Sequence, residues 1–350
     1  MISVSTDGER VNIRISPQGH GELLFTKLRV SVSAHVRVAV GRWALWQIAE
    51  VDMITAHPGL PEFDYIKPTT FEEASLFLVQ HAGEARPFIG GTDTFVRMRD
   101  GAWKDKYLVD VKSLPGMNDL RFDPARGLAV GAAVNMNRLI ASPEVNEHYP
   151  VLAEAAHTVA SYQLRTRATI AGNICNASPA GDTVGACLVL DGKAHVRSVD
   201  GERVESLRAF FKGPGKTVLK AGDIVTAIEF PLPPKHAAGK YLKLGRNAIG
   251  DLAIVGVTAL GHPDRTPSGY RFLIALASVA PTPLMPDMSL LSEKPITPGT
   301  IDEAADAAMN AVTPIDDVRG SARYRKLMVR NLTRKALTEV WSKLAEAKVQ

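Results

Sequence analysis

A pair of adjacent glycines in a polar turn is the first feature of this sequence that could bind a ligand. Gly90 and Gly91 follow the apolar run 87–89 and precede Thr92-Asp93-Thr94. Glycine adopts backbone conformations that other residues avoid, and it leaves no side chain to block a ligand. Successive amides of such a turn can point into one concavity, which suits phosphate oxygens. The alternative is an ordinary polar turn between a strand and a helix.

A second segment of small and polar residues runs from residue 169 to residue 183. Its small residues also permit close approach of the backbone, while Asn173 and Asp182 offer donor and acceptor groups. A carboxylate such as Asp182 can accept hydrogen bonds from sugar hydroxyls, as acidic residues do in other dinucleotide sites. Upstream, Arg165 and Arg167 could add positive potential. The alternative is a turn that satisfies its own backbone through Asn and Ser side chains.

Spacing and composition exclude several other kinds of site. The sequence has no GxGxxG after its first strand and no GxxxxGK[ST], which argues against Rossmann and P-loop domains. Its nine histidines show no HxH or HExxH spacing, and two cysteines are too few for an iron–sulfur cluster or a structural zinc site. A net charge of +4, without basic runs interleaved with aromatics, predicts no nucleic-acid partner. We predict no metal site and no catalytic residues in this chain.

Caps and hydrophobic periodicity predict the elements that position the two turns. Thr70 is a candidate N-cap of a helix that runs to about His81, with Glu73 three residues on. Further strands are predicted at residues 87–89, 107–111, 127–131, 169–173 and 224–230, and a helix at 154–159.

A proline cluster at residues 231–234 is the best linker candidate, and it places a domain boundary near residue 236. Beyond it, strands are predicted at 253–260 and 272–279, followed by a helix at 301–312 capped by Thr300 and a helix at 324–344. Strands followed by helices predict an α+β domain. The predicted division is an N-terminal extension at 1–56 and two domains at 57–236 and 237–345.

The N-terminal extension differs from the rest of the sequence and suggests no chemistry. Alternating residues at 11–15 and 28–32 predict two amphipathic strands. One hypothesis is that the natural start is Met53; the other is a lineage-specific extension. Mass spectrometry of the native protein would distinguish them. The N-terminus does not resemble a signal peptide, so we predict a cytoplasmic protein. The apolar stretches are shorter than the roughly 20 residues that a membrane span requires, so we predict no membrane span.

Both turns belong to a longer pattern. The first is followed by a block that reads T-I-A-G-N-I-C-N-A-S-P-A-G-D-T from Thr169. Two weaker segments, 241–255 and 319–325, follow in order. Residues 61–345 therefore resemble the FAD-binding medium subunits of the carbon monoxide dehydrogenase and xanthine dehydrogenase family, the molybdenum hydroxylases. The block is the specific element of this resemblance.

The resemblance implies an α+β fold: a vanillyl-alcohol-oxidase (PCMH)-type FAD-binding domain in two subdomains, with a smaller α+β C-terminal domain. It implies that two turns wrap the FAD diphosphate, formed by Ile89, Gly90, Gly91, Thr92, Asp93 and Thr94 and by Thr169, Ile170, Ala171, Gly172 and Asn173. Asp182 matches the family's aspartate near the adenosine, and Lys243 matches its lysine near the flavin. Val225 matches an apolar residue that packs on the cofactor. Relatives usually have Gly in place of Ala171, so a modest adjustment is expected there.

The function implied is that of an electron-transfer flavoprotein. A large molybdopterin-binding subunit would hydroxylate the substrate, and a small [2Fe–2S] subunit would pass electrons to FAD in this chain, in a dimer of heterotrimers. The chain lacks the cysteine-rich insertion that some relatives carry for an extra cluster. Two alternatives are a stand-alone FAD-dependent oxidoreductase on the same fold and an assembly module that has lost its flavin.

Overall fold

The computed structural model describes residues 2–7, 10–15, 59–247 and 249–349. The chain divides into two units, residues 1–55 and 56–350. In the first unit, β1 (Ile2–Asp7) pairs antiparallel with β2 (Arg10–Ile15), which confirms the strand predicted at 11–15. The strand predicted at 28–32 and the proposed start at Met53 lie outside the described residues.

A small parallel sheet opens the second unit. Its elements in chain order are β3 (Asp64–Ile66), α1 (Phe71–Gln80), β4 (Ala85–Phe88), α2 (Thr94–Arg99) and β5 (Tyr107–Asp110). The strand order is β3-β5-β4 with parallel pairing, so β4 is an edge strand and the three carboxyl ends share one side of the sheet. The predicted cap of α1 is confirmed, because the Thr70 hydroxyl accepts from the amide of Glu73 at 3.1 Å. The Gly90-Gly91 turn leaves the carboxyl end of β4.

An antiparallel sheet and a group of short helices follow. In chain order these are β6 (Leu120–Asp123), β7 (Gly127–Gly131), α3 (Met136–Ile140), α4 (Pro143–His148), α5 (Pro150–His157), α6 (Tyr162–Arg165), α7 (Ile170–Asn176), α8 (Asp182–Val189), β8 (Lys193–Ser198), β9 (Gly201–Ser206), α9 (Leu207–Phe210), β10 (Phe211–Gly213), β11 (Lys216–Thr217) and β12 (Ile224–Phe230). The sheet order is β6-β7-β12-β8-β9. Apolar side chains of this sheet and of α5, α7 and α8 form one large buried cluster.

The strand predicted at 169–173 is wrong, since these residues begin helix α7. Thr169 has an extended backbone and its hydroxyl accepts from the amide of Gly172 at 2.9 Å, which makes Thr169 the N-cap. Ile170 and Ala171 are both buried in the core. Thr-Ile favours a strand locally, but the side-chain cap and burial of this turn stabilise the helical alternative.

The C-terminal part combines an antiparallel sheet with helices. Its elements are β13 (Ala238–Leu244), β14 (Val255–Pro263), β15 (Tyr270–Ala277), α10 (Ser289–Glu293), α11 (Pro298–Ala311) and α12 (Ala322–Val349), with strand order β13-β14-β15. A second hydrophobic cluster packs this sheet against α11 and α12. Of the described helices, none is long and apolar enough to cross a membrane.

The cap predicted for α11 is wrong by three residues. Thr297 is the N-cap, and Thr300 is its partner in a capping box. Pro298 occupies the first helical position, where its fixed φ suits the helix and its missing N–H costs nothing. The helix therefore begins before the apolar periodicity that marked it in the sequence.

The segment 319–325 supports the C-terminal part from inside. Arg325 is buried and donates to the carbonyl oxygens of Ile254 and Ser278 at 3.3 and 2.8 Å, and it pairs with Asp317. Burial raises the pKa of Asp317, but hydrogen bonds from Arg319 and Arg325 outweigh burial and hold this pKa well below its ordinary value. This part of the sequence pattern therefore has a structural role.

Candidate cofactor-binding site

The two glycine turns lie directly against each other. A Cβ atom added to Gly90 would lie 2.4 Å from the carbonyl oxygen of Arg167, two residues before the N-cap of α7. The Arg167 Nε donates to the carbonyl oxygen of Gly90 at 3.4 Å. The added Cβ would meet backbone atoms of Arg167, which cannot rotate away as a flexible side chain can, so position 90 has no room for a side chain. Segments that are far apart in sequence thus form one continuous surface.

Gly91 is required for a second reason. Its φ is +75°, a left-handed conformation that other residues rarely adopt. A Cβ atom there would lie 2.7 Å from the ring of Phe88, which packs against the ring of Phe95 with centroids 5.2 Å apart. The aromatic rings support the turn from beneath. The second glycine is therefore explained by the fold as well as by any ligand.

The second turn presents the start of a helix. The Thr169 hydroxyl satisfies the amide of Gly172. The amide of Ala171 belongs to the first helical turn, where no intrahelical acceptor exists, so it can donate to an anion. Ala171 is 2% exposed and belongs to the hydrophobic core, which accommodates its methyl group.

Both turns line one cavity of about 300 Å³. The predicted site residues that line it are Ile89, Gly90, Gly91, Thr92, Asp93, Thr94, Thr169, Ala171, Gly172, Asn173 and Val225. Ile170 does not line it, because its side chain is buried in the core. The structure therefore brings together eleven of the predicted residues.

Asp182 and Lys243 are placed differently. Neither lines the cavity, and they contact each other, with Lys243 Nζ 2.7 Å from Asp182 Oδ2. The Tyr241 hydroxyl donates to Asp182 Oδ1 at 2.8 Å, and Lys243 also donates to the carbonyl oxygen of Thr158. The two side chains are thus in direct contact, and the assignment of Asp182 to the adenosine and of Lys243 to the flavin stays a prediction.

The Asp182–Lys243 pair nevertheless lies close behind the cavity wall. Asn173 Nδ2 donates to the hydroxyl of Thr183, the residue after Asp182, at 3.2 Å. Burial raises the pKa of Asp182 above its ordinary value, and the opposing effects of Lys243 and Tyr241 are smaller. The pair joins α8 to β13, and thereby the helices around the cavity to the C-terminal sheet.

Several cavity residues were missed in the sequence. They include Arg86, Asn176, Lys220 and Asp223. Asn176 lies three residues after Asn173 on α7 and so shares its face, but the strand predicted at 169–173 hid this relation. Its Oδ1 is buried and has no hydrogen-bond partner among the described residues. A buried acceptor without a donor is costly, so a ligand that donates a hydrogen bond there would stabilise the site.

The two arginines upstream of the block differ in role. Arg165 is buried and donates through NH1 to the carbonyl oxygens of His157 and Val159, so it stabilises the end of α5. Arg167 is exposed beside the Gly90 turn. Only Arg167 can supply the positive potential expected of the pair. Exposed amides, an unpaired acceptor and side-chain-free turns together fit a cofactor that contains a diphosphate.

Comparison with known families gives two matches along the chain. A model described as the FAD binding domain in molybdopterin dehydrogenase matches residues 61–233. A model of the CO dehydrogenase flavoprotein C-terminal domain matches residues 240–340.

Individual proteins agree with these models. The chain is 31% identical to the carbon monoxide dehydrogenase medium chain of Hydrogenophaga pseudoflava, over 81% of this chain and 99% of that protein. It is 26% identical to the xanthine dehydrogenase FAD-binding subunit of Escherichia coli O157:H7, over 79% of this chain and 94% of that subunit. The solved carbon monoxide dehydrogenase of H. pseudoflava superposes with a TM-score of 0.78 at 29% identity, covering 81% and 99% of the two chains. This likeness confirms the predicted α+β fold.

Proposed function

Since this chain belongs to the family of FAD-binding medium subunits of molybdopterin dehydrogenases, we propose that it holds FAD between its two glycine turns and relays electrons within a molybdenum hydroxylase complex. The contact between Gly90 and the Arg167 carbonyl carries this proposal, because it places two sets of backbone amides around one cavity. When bound, FAD supplies an isoalloxazine ring that accepts electrons singly and delivers them singly or in pairs.

The protein's own contribution is binding and orientation. The amides at residues 91–94 and the Ala171 amide of α7 donate to the diphosphate, with Thr92 and Thr94 adding hydroxyl donors. Asn176 Oδ1 accepts from a donor of the cofactor, which removes the cost of its buried, unpaired state. Val225 packs against the cofactor from β12. No residue of the chain is assigned an acid–base role.

The partners proposed are a large molybdopterin-binding subunit and a small [2Fe–2S] subunit, assembled as a dimer of heterotrimers. Support comes from relatives that are named medium chains or, in Paenarthrobacter nicotinovorans, a subunit of a dehydrogenase complex. It also comes from the two cysteines of this chain, too few to ligate an iron–sulfur cluster. Electrons enter from the small subunit and leave to an external acceptor. Residues 57–236 form the FAD-binding domain and 237–345 the C-terminal domain.

Affinity purification of the tagged chain from its native source tests this proposal against its two alternatives. We expect one extractable FAD per chain, together with two partner chains, molybdenum and iron. A flavin-containing chain that purifies alone and oxidises a substrate by itself would support the stand-alone oxidoreductase. A chain that yields no FAD on extraction but still brings down the two partners would support the assembly module. Either result would contradict the proposed relay.

A further inference from the structure

Arg86 is an unassigned residue of the cofactor cavity, and it is held on two sides. It lies on the edge strand β4, and its guanidinium carbon is 3.6 Å from the centroid of the Trp103 ring. Its Nε donates to Asp105 Oδ2 at 2.9 Å. Asp105 is only 8% exposed in its side chain, so this ion pair is shielded from water on the carboxylate side. The guanidinium is thereby fixed flat against an indole, an arrangement that arginine favours.

The remaining groups of Arg86 are open to a ligand. Within the described ranges, no hydrogen bond of the protein uses its NH1 or NH2, and its side chain is 35% exposed. Both Arg86 and Trp103 line the same cavity as the glycine turns. A guanidinium that is already oriented loses little further conformational entropy when a ligand binds to it. Arg86 therefore has the character of a binding residue.

The position of Arg86 on β4 separates it from the glycine turns that are proposed to bind the diphosphate. Arg86 precedes Gly90 by four residues, and an extended chain rises about 3.3 Å per residue, so the two Cα atoms are roughly 13 Å apart. The cavity walls also include the apolar side chains of Val111, Leu219 and Ile224. A flat ring fits a cavity that offers both apolar walls and a guanidinium plane.

FAD offers two rings, and the cavity size selects between them. About 300 Å³ lies at the lower end of the range for pockets that enclose a drug-sized ligand, so it encloses only part of FAD. The flavin ring has to exchange electrons with another molecule and needs an accessible position. The adenine ring has no such requirement and can be enclosed.

We propose that Arg86, held between Trp103 and Asp105, forms the platform on which the adenine ring of FAD stacks. This inference rests on the proposed function, since it requires that the cavity binds FAD. The guanidinium provides a cation–π contact with the purine on the face away from Trp103.

Titration of the flavin-stripped full-length chain with FAD and with ADP tests the platform. Arg86→Gln should weaken both ligands by about 3- to 30-fold, the range of a desolvated cation–π contact. Arg86→Lys should weaken them as well but by less, because lysine keeps the charge and can still pair with Asp105 but has no plane to stack on. Arg97→Gln is the matched control: its guanidinium carbon is 5.4 Å from the same Trp103 ring, and it does not line the cavity.

The outcomes separate this inference from the function on which it rests. Unchanged affinity of Arg86→Gln for ADP would overturn the platform while leaving FAD binding intact. Wild-type affinity in Arg86→Lys would show that the residue acts by charge on the phosphates, which also overturns it. Failure of the wild-type chain to bind FAD would refute the proposed function itself. The thermal midpoint of each variant shows whether it is folded. If Arg86→Gln does not fold, the affinity of Arg86→Lys for ADP tests the platform instead.

Discussion

Replacement of Gly90 by alanine perturbs the contact on which the site depends. The added Cβ would lie 2.4 Å from the Arg167 carbonyl oxygen, whereas an ordinary carbon–oxygen contact is about 3.3 Å or longer. The two turns must therefore separate by roughly 1 Å. Backbone cannot rotate away as a flexible side chain can, so we expect a loss of about 1–3 kcal/mol in the free energy of unfolding, typical of overpacking.

Gly90→Ala should lower the affinity for FAD by more than its loss of folding stability alone suggests. If separation of the turns breaks one charge-assisted hydrogen bond to the diphosphate, affinity falls by about 10- to 100-fold. Gly299→Ala is the control, because a Cβ there meets only the Thr297 hydroxyl, at 3.8 Å, in the first turn of α11, and Gly299 does not line the cavity. The assay is FAD titration followed by fluorescence, with thermal unfolding of each apoprotein. Wild-type FAD affinity in Gly90→Ala would refute the claim that contact between the turns forms the site.

Three further predictions follow from groups with unusual surroundings. Asn176→Ala should leave the thermal midpoint of the apoprotein unchanged or higher, yet weaken FAD about tenfold, since it removes an acceptor that only a ligand satisfies. Asp182→Ala should lower the free energy of unfolding by about 3 kcal/mol in urea denaturation, because the Lys243 ammonium keeps its burial but loses its carboxylate. The stability that Asp317 contributes through its lowered pKa is present above about pH 4 and lost as the pH falls, so Asp317→Asn should flatten the acid side of a plot of thermal midpoint against pH.

For each of these three predictions, one experimental result would contradict it. A less stable Asn176→Ala apoprotein would mean that its Oδ1 is already satisfied. An Asp182→Ala variant with wild-type stability and a large loss of FAD would place this carboxylate on the cofactor instead of in the ion pair. Acid sensitivity that is identical in Asp317→Asn and wild type would show that other carboxylates govern unfolding.

Local patterns predicted those elements whose causes are local. The Thr70 cap of α1 was predictable because donor and acceptor are three residues apart. Strand β12 was predictable because it is rich in β-branched residues and ends directly before Pro231. The start of α7 was not, because Thr169-Ile170 suits a strand until its cap and its burial are known.

The site was predictable where glycine spacing and resemblance defined it, and less so where distant side chains meet. The ion pair of Asp182 with Lys243 joins residues 61 apart, and nothing local indicates it. Arg86 and Trp103 are single residues on an edge strand and a loop, and only the fold brings them to the cavity. The missed residues are thus those whose role depends on tertiary contact.

The most direct measurement is a cryo-EM or crystal structure of the purified, flavin-containing protein. The account predicts a diphosphate between residues 90–94 and 169–173, with its oxygens within hydrogen-bonding distance of amides from both segments. Flavin density elsewhere, or a diphosphate that touches one segment alone, would contradict it.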